Sequence, residues 1–243
     1  MKKSFLFLAY CLGISLGLPI QASVSTVTLP LTHAYIPMGN DSNDKAEIVL
    51  EGYLPNLCYE MGEAQYLLSG KQILISMGGV YHPEHEPFCL QTAYYFETTV
   101  KLDRLDQGDY QVKLLHHDPQ SLQIRQDLAG ELRIAQPKAK TVDDYLYANT
   151  FEIHKTSNKN QIIISGIHPE DCLGLKKIEF ISNGVDSISV LPIMEQITTT
   201  CFEPVKKVPF EFTITLPEDP KRSKVLVHVR TARGQAVNKI IRR

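Results

Sequence analysis

Two histidines and two glutamates lie close together in one short segment, YHPEHEP, which spans residues 81–87. Imidazole nitrogens and carboxylate oxygens are ligands for Zn²⁺ and Cu²⁺, so His82, Glu84 and His85 are candidate metal ligands. Two prolines in the segment exclude the α-helix on which a zincin-type motif places its ligands. The segment can therefore hold a metal ion only as a loop, and a hydrated polar loop without metal is the alternative interpretation.

Other residue patterns that support catalysis are missing from the sequence. It contains no Gly-x-Ser-x-Gly motif around a nucleophilic serine and no glycine-rich phosphate-binding loop. The net charge is −2, from 25 basic and 27 acidic residues, which excludes the strongly basic surface of a nucleic-acid-binding protein. We therefore predict a protein that is not an enzyme, needs no cofactor and does not bind nucleic acid.

The N-terminus has the three parts of a secretory signal peptide. Lys2 and Lys3 give it a positive charge, Phe5–Leu18 is an apolar run, and Ala22 is a small residue at the expected cleavage site. The apolar run has about 14 residues, fewer than the roughly 20 that a membrane-spanning helix needs, and no later stretch is long enough. We predict that residues 1–22 are removed and that the mature protein has no transmembrane segment and is periplasmic or secreted.

Four cysteines follow the signal peptide: Cys58, Cys89, Cys172 and Cys201. An even number in an oxidising compartment favours disulfide bonds, and four cysteines allow three pairings. The chain contains two copies of one motif, and each copy belongs to a segment that holds two of the cysteines. We therefore predict the bonds Cys58–Cys89 and Cys172–Cys201. A zinc site is disfavoured because there is no Cys-x-x-Cys pair.

The duplicated motif divides the chain into two parts. The first copy is IVLEGYLPNLC at residues 48–58, and the second is IIISGIHPEDC at residues 162–172. In each copy a proline follows the glycine by three positions and a cysteine follows it by six. Equal internal offsets indicate that one structural unit occurs twice. We place the two domains at residues 23–137 and 138–243, joined through the polar segment 136–141.

Both parts show the alternation of apolar and polar residues that is typical of half-buried β-strands. The clearest examples are FETTVKL at 96–102 and FEFTITL at 210–216. We predict a hairpin between 96–102 and 110–114, and a second hairpin closed by the Asn-Gly pair at 183–184. No segment has a helical period. The sequence thus predicts an all-β chain of two tandem antiparallel β-sandwiches of immunoglobulin-like shape.

One polar segment, IPMGNDSNDK at residues 36–45, is rich in side-chain oxygens. Such oxygens are the ligands that Ca²⁺ prefers, but the segment lacks the spaced carboxylates and the closing glutamate of an EF-hand loop. We therefore predict a solvated loop.

The order of these motifs resembles that of a known class of exported proteins. Gly-x-x-Pro-x-x-Cys, a second cysteine about 30 residues later and the FExT strand are similar to uncharacterised bacterial proteins built of tandem, Cys-containing immunoglobulin-like repeats. The resemblance implies the fold but no site residues. The layout of two sandwiches behind a signal peptide is also similar to that of periplasmic pilus chaperones, which act through the edge of a sheet.

These observations favour an exported, non-enzymatic binding or structural module whose partner is a protein or envelope component. One alternative is a metal-binding protein or metal-dependent hydrolase centred on residues 82–86. The other alternative is a periplasmic chaperone-like protein that acts through a sheet edge.

Overall fold

The computed structural model describes residues 25–117, 124–137, 147–158, 160–168, 171–198, 200, 207–220 and 222–243. Apart from two short 3₁₀ helices, Pro83–Phe88 and Ala232–Gly234, the regular structure of these residues is β-strand. The all-β prediction is therefore confirmed. The predicted signal peptide (residues 1–22) and the start of the predicted second domain (residues 138–146) lie outside the described residues, so the domain boundaries stay predictions. The structure contains no helix in the described part of the chain that is long and apolar enough to cross a bilayer.

Nine strands within the described residues form the N-terminal sandwich, which we call unit 1. In chain order they are β1 (Ser25–Leu29), β2 (Leu31–Tyr35), β3 (Asn40–Asp41), β4 (Glu47–Leu54), β5 (Tyr59–Ser69), β6 (Gln72–Tyr81), β7 (Tyr94–Lys101), β8 (Gly108–His117) and β9 (Ile124–Ala135). Strands β2, β4 and β7 form a small sheet, and the other six form a large sheet. The two sheets enclose a core that includes Leu50, Ile73 and Val112, each fully buried.

Seven strands within the described residues form the C-terminal sandwich, unit 2. In chain order they are β10 (Thr150–Lys155), β11 (Gln161–His168), β12 (Leu173–Ser182), β13 (Ser187–Gln196), β14 (Val208–Thr215), β15 (Lys224–Thr231) and β16 (Gln235–Arg242). Strands β10, β11 and β14 form the small sheet, and the other four form the large sheet. The core between them includes Ile164, Ile188 and Val227.

Both large sheets contain parallel pairings, namely β6 with β8 and the short β3 with β9 in unit 1, and β13 with β15 in unit 2. This differs from the antiparallel sheets that we predict. The chain leaves the large sheet after β6, crosses to the small sheet as β7 and returns as β8, so two reversals restore its direction. The predicted hairpin between residues 96–102 and 110–114 is therefore wrong. Apolar and polar residues alternate in both β7 and β8 because one face of each strand contacts the same core. The two strands contact that core from opposite sheets.

Two further features of the strands bear on the sequence predictions. The Asn-Gly hairpin is confirmed, since Ser182 pairs with Ile188 and Gly184 adopts a φ of 72° at the turn. Strand β5 was not predicted, because most of its side chains are exposed and its sequence, YEMGEAQYLLS, does not alternate. A β-bulge near Gly62 interrupts its pairing with β6.

The outer face of the small sheet of unit 1 packs against β15 and β16 of unit 2. A separate apolar cluster lies between the two units and consists of Tyr35, Val49, Leu226 and Ile240. Strand β4 is consequently buried on both faces, with Ile48 and Leu50 in the core of unit 1 and Val49 in this contact. Burial on two faces explains why β4 has the near-continuous apolar sequence of an interior strand.

Polar groups complete the contact between the units. His33 Nε2 lies 2.6 Å from Asp186 Oδ2, Lys224 pairs with Glu51, and Asn238 donates to Glu47.

The loop between β2 and β4 belongs to this contact, so the predicted solvated loop is wrong. Arg230 donates to the Gly39 carbonyl at 2.8 Å and forms an ion pair with Asp44, and its guanidinium lies 3.6 Å from Asp41. Asn40, Asp41 and Asp44 are buried. The carboxylates that suggested a calcium loop instead neutralise a buried arginine of unit 2, because a buried charge requires a partner of opposite sign.

Candidate functional site

The candidate metal ligands lie at one end of unit 1, which the predicted disulfide bond closes. Cys58 follows β4 and Cys89 precedes β7, and the two are bonded with a Cα–Cα distance of 5.5 Å. The Asn56 side chain accepts a hydrogen bond from the Cys58 backbone N–H at 2.8 Å and so forms the turn between β4 and β5. The backbone N–H of His82 donates to the Cys58 carbonyl at 3.0 Å, which ties the end of β6 to the same turn.

A short 3₁₀ helix, Pro83–Phe88, brings the three candidate ligands together. Proline occupies its first turn, where the fixed φ of proline favours the helical conformation. One ligand atom each from His82, Glu84 and His85 lies within 4.8 Å of the other two. His82 Nδ1 lies 3.0 Å from Glu84 Oε1, and the imidazole rings of His82 and His85 stack with centroids 5.5 Å apart.

The second ring nitrogen of His82 contacts a residue that sequence reasoning did not find. His82 Nε2 lies 3.3 Å from Glu60 Oε2, on strand β5. The two residues meet because β5 pairs antiparallel with β6, with Tyr59 opposite Tyr81. Since β5 was not predicted, no signal in the sequence connected Glu60 to the 82–86 segment.

The carboxylates around His82 shift the protonation of the cluster. Hydrogen bonds with Glu84 and Glu60 raise the pKa of His82 above its ordinary value. The pKa of Glu84 is lowered, first by a hydrogen bond that its carboxylate accepts from its own backbone N–H and then by the hydrogen bond with His82. His82 is partly buried, whereas Glu84 and His85 are exposed. The arrangement is a solvent-accessible histidine–carboxylate cluster with nitrogen and oxygen donors.

Cys172 lies between β11 and β12 of unit 2, as Cys58 lies between β4 and β5 of unit 1. Cys172 is disulfide-bonded and buried. Cys201, its predicted partner, lies outside the described residues, so the Cys172–Cys201 pairing stays a prediction. Within the described residues, the segment of unit 2 that corresponds to 82–86 contains no histidine.

Large apolar side chains are exposed around the disulfide bond of unit 1. We call this group the apolar patch, and its members are Leu57, Met61, Phe88, Leu90, Tyr94 and Tyr95. The backbone N–H of Leu57 donates to the Leu90 carbonyl at 3.3 Å, so the two loops that carry the patch are directly joined. Phe88 keeps 90 % of its surface in solvent and Tyr95 keeps 74 %. Side chains of this size are normally buried, so these exposed residues make this end of unit 1 a candidate contact surface.

A groove of about 820 Å³ borders the apolar patch and extends to unit 2. Met61, Tyr94 and Tyr95 line one part of it, and Lys224 and Arg242 of unit 2 line another. The groove therefore combines an apolar wall with two basic side chains, of which Lys224 already pairs with Glu51 and Glu97.

Comparison with known proteins gives one result for this end of the molecule. Residues 48–122 match the family model of the ORF11 beta-sandwich domain. Neither the curated proteins nor the solved structures contain a match to the chain. The matched residues begin in β4 and continue beyond β8, and they include the Cys58–Cys89 bond and the histidine cluster. This part of unit 1 is therefore similar to a family of β-sandwich domains.

Proposed function

We propose that this protein is an exported, non-enzymatic binding module and that its partner docks on the apolar patch of unit 1. The observation that carries the proposal is the exposure of six large apolar side chains around one disulfide-closed end of the sandwich. Residues of this kind, exposed together, are typical of protein interaction sites. The Cys58–Cys89 bond supports export to the periplasm or beyond, because disulfides persist in oxidising compartments.

The charges near the apolar patch suggest the chemistry of the partner. Four exposed glutamates lie on the elements of unit 1 that carry or adjoin the patch, namely Glu60, Glu63, Glu84 and Glu86. The two basic residues of the bordering groove belong to unit 2, and Lys224 is already paired with Glu51 and Glu97. A complementary protein surface would present apolar side chains flanked by lysine or arginine, because complementary charges steer association and exclude unsuitable partners. We therefore propose a protein of the envelope or the extracellular medium with an apolar, basic docking segment.

The chaperone-like alternative would use the free edge of a strand instead of the patch. Strand β5 pairs only with β6 among the described strands, so one of its edges is open. The bulge near Gly62 and the exposed Glu60 and Glu63 lie on this strand. Bulges and charges of this kind are the features with which native proteins protect a sheet edge from strand addition. The patch is therefore the better-supported docking site.

A comparison of two matched variants tests the proposal. The patch variant carries Phe88→Ser, Leu90→Ser and Tyr95→Ser, and the control variant carries Phe151→Ser and Ile197→Ser, which remove exposed apolar side chains from unit 2. Wild type and both variants are cross-linked to envelope extracts, and each captured protein is identified by mass spectrometry and then purified.

Binding of the purified partner is measured by isothermal titration calorimetry. We expect the patch variant to bind at least tenfold more weakly, about 1.4 kcal/mol, and the control variant to bind like wild type. A purified partner that binds wild type and patch variant equally would contradict the proposal. Absence of any protein captured by wild type and lost by the patch variant would contradict it as well.

A further inference from the structure

We propose that His82, Glu84 and His85 form a binding site for a divalent transition-metal ion, Zn²⁺ or Cu²⁺. This inference goes beyond the proposed binding function, because none of the three ligands is a member of the apolar patch and only Glu84 is also one of the charges that flank it. The donor set consists of two imidazoles and one carboxylate, which suits Zn²⁺ and Cu²⁺ better than Ca²⁺ or Mg²⁺. One atom from each side chain already lies within 4.8 Å of the other two.

Only small movements are needed to bring the three donor atoms around one ion. Ligand bonds of 2.0–2.1 Å in a tetrahedral zinc site place ligand atoms about 3.3 Å apart. His82 Nδ1 and Glu84 Oε1, at 3.0 Å, are near this separation. Glu84 and His85 are exposed, so rotation of their side chains can close the remaining distance without disturbing the core.

The backbone that carries these ligands is held in place. The 3₁₀ helix contains two prolines, whose φ angles are fixed, and it is followed directly by the bonded Cys89. The backbone N–H of His85 donates to the His82 carbonyl at 3.1 Å, which fixes the spacing of the two histidines. A segment that is already ordered loses little conformational entropy when a metal binds.

Glu60 has the position of an outer residue that orients a metal-binding histidine. Histidines that bind metals usually donate their second ring N–H to a carboxylate, which selects the tautomer and orients the ring. His82 Nε2 faces Glu60 at 3.3 Å, while His82 Nδ1 faces Glu84. Glu60 would thus hold the proton on Nε2 and leave Nδ1 free to bind the metal, with water completing the coordination sphere.

Metal titration of the purified full chain, prepared without a polyhistidine tag, tests the site. Wild type is titrated separately with Zn²⁺ and Cu²⁺ by isothermal titration calorimetry, and X-ray absorption identifies the ligands. We expect one ion per chain, nitrogen and oxygen ligands, and at least a tenfold loss of affinity in the His82→Ala/His85→Ala variant. Glu60→Gln should weaken binding by about tenfold without removing a ligand, as other outer-shell substitutions do.

The matched control is His154→Ala in unit 2. His154 Nε2 lies 2.8 Å from Glu152 Oε2, so this pair is also an exposed histidine–carboxylate contact, but it belongs to no group of three possible ligands among the described residues. Its removal should leave metal affinity unchanged, and thermal unfolding should show that every variant is folded. Absence of stoichiometric binding, or binding that survives the double variant, would overturn the proposal. Neither result affects the partner experiment, because the patch variant retains all three ligands.

Discussion

Unit 1 and unit 2 each consist of a small sheet packed on a large sheet, but their exposed surfaces differ. In unit 1 the motif glycine, Gly52, lies opposite Phe96, and an added Cβ would come within 2.4 Å of the Pro30 carbonyl oxygen. In unit 2 Gly166 lies opposite Phe210, and an added Cβ would come within 2.1 Å of the Asn149 carbonyl oxygen. The duplicated glycine therefore has the same role in both units. Its missing side chain leaves room for a phenylalanine ring and for the residue just before the edge strand, β2 or β10.

The parallel pairs β6–β8 and β13–β15 allow the two units to be aligned residue by residue. Ile73 pairs with Val112 in unit 1 and Ile188 pairs with Val227 in unit 2, and all four side chains are fully buried. On this alignment the outward positions of β8 correspond to those of β15. The outward residues of β8 are Asp109, Gln111, Lys113 and Leu115, and those of β15 are Lys224, Leu226, His228 and Arg230.

Most of the outward residues of β15 are buried in the contact with unit 1, whereas those of β8 are exposed or half-buried. Inward positions thus preserve one fold in both units, while outward positions determine which face makes the contact. The candidate site lies outside the shared core as well. The histidine cluster and half of the apolar patch belong to loops and to the 3₁₀ helix of unit 1.

The largest effect should come from Arg230→Ala, which removes the buried cation of the contact. Asp41 and Asp44 would then be buried without their arginine partner, and breaking a buried ion pair in this way costs about 3–5 kcal/mol in the free energy of unfolding. The control is Leu115→Ala, the corresponding residue of unit 1, which should cost about 1 kcal/mol because it is only half-buried. Urea unfolding measures the free energy of unfolding of both variants. Equal losses would contradict the inference that the outward face of β15 is buried in a contact and that of β8 is not.

Removal of the disulfide bonds should have the next largest effect. The Cys58→Ala/Cys89→Ala variant opens a loop with a sequence separation of 31 residues, which should lower the free energy of unfolding by about 3–4 kcal/mol. Cys172→Ala/Cys201→Ala should lower it by a similar amount, since those cysteines are 29 positions apart. Mass mapping of non-reduced digests checks the pairing, and a peptide joining Cys58 to Cys172 would refute two separately bonded units.

His228 should make unit 2 sensitive to pH in a way that unit 1 is not. Burial lowers the pKa of His228 to about 4, although its Nδ1 lies 2.7 Å from Asn238 Oδ1. The residue that corresponds to it in unit 1 is the half-buried Lys113.

In the unfolded chain His228 would become protonated near pH 6.5. In the folded protein the same imidazole would stay neutral down to about pH 4. Stability should therefore fall as the pH falls through this window, by up to about 3 kcal/mol. His228→Gln should remove this part of the slope, measured by urea unfolding at several pH values. Burial raises the pKa of the nearby Glu47, so this group makes stability rise as the pH falls. It does so in wild type and in His228→Gln alike, and the difference between the two proteins isolates His228. An identical pH profile in wild type and variant would contradict the prediction, and His154→Gln serves as the exposed control.

The motif glycines should give the smallest of these effects, and the two should match. Gly52→Ala and Gly166→Ala each force a shift of the backbone or of a phenylalanine ring, and overpacking of this kind costs about 1–3 kcal/mol. Thermal unfolding of both variants is the measurement. A large loss at one glycine and none at the other would show that the two motif copies do not have the same structural role.

The candidate site was only partly predictable from the sequence. His82, Glu84 and His85 were found because they are neighbours in the chain and have the side chains that bind transition metals. Glu60 was missed because it lies 22 positions earlier and reaches His82 only through the pairing of β5 with β6. The exposure of Phe88 was missed as well, since an apolar residue beside a cysteine is usually buried.

The sequence by itself determined the local structure of this protein. Alternation placed β7 and β14, the Asn-Gly pair placed a hairpin, and the repeated offsets of glycine, proline and cysteine predicted the Cys58–Cys89 bond. Each of these signals depends on a short stretch of chain, and a strand alternates in the same way whichever sheet it joins.

The tertiary structure alone decided how these strands are combined. It placed β7 and β8 in opposite sheets, buried the polar loop at residues 40–44 and covered both faces of β15. These outcomes depend on contacts between residues far apart in the chain, such as Arg230 with Asp44, which are separated by 186 positions. A local pattern shows that a charged side chain is present, but only the packing of the two units shows whether it meets water or a buried partner.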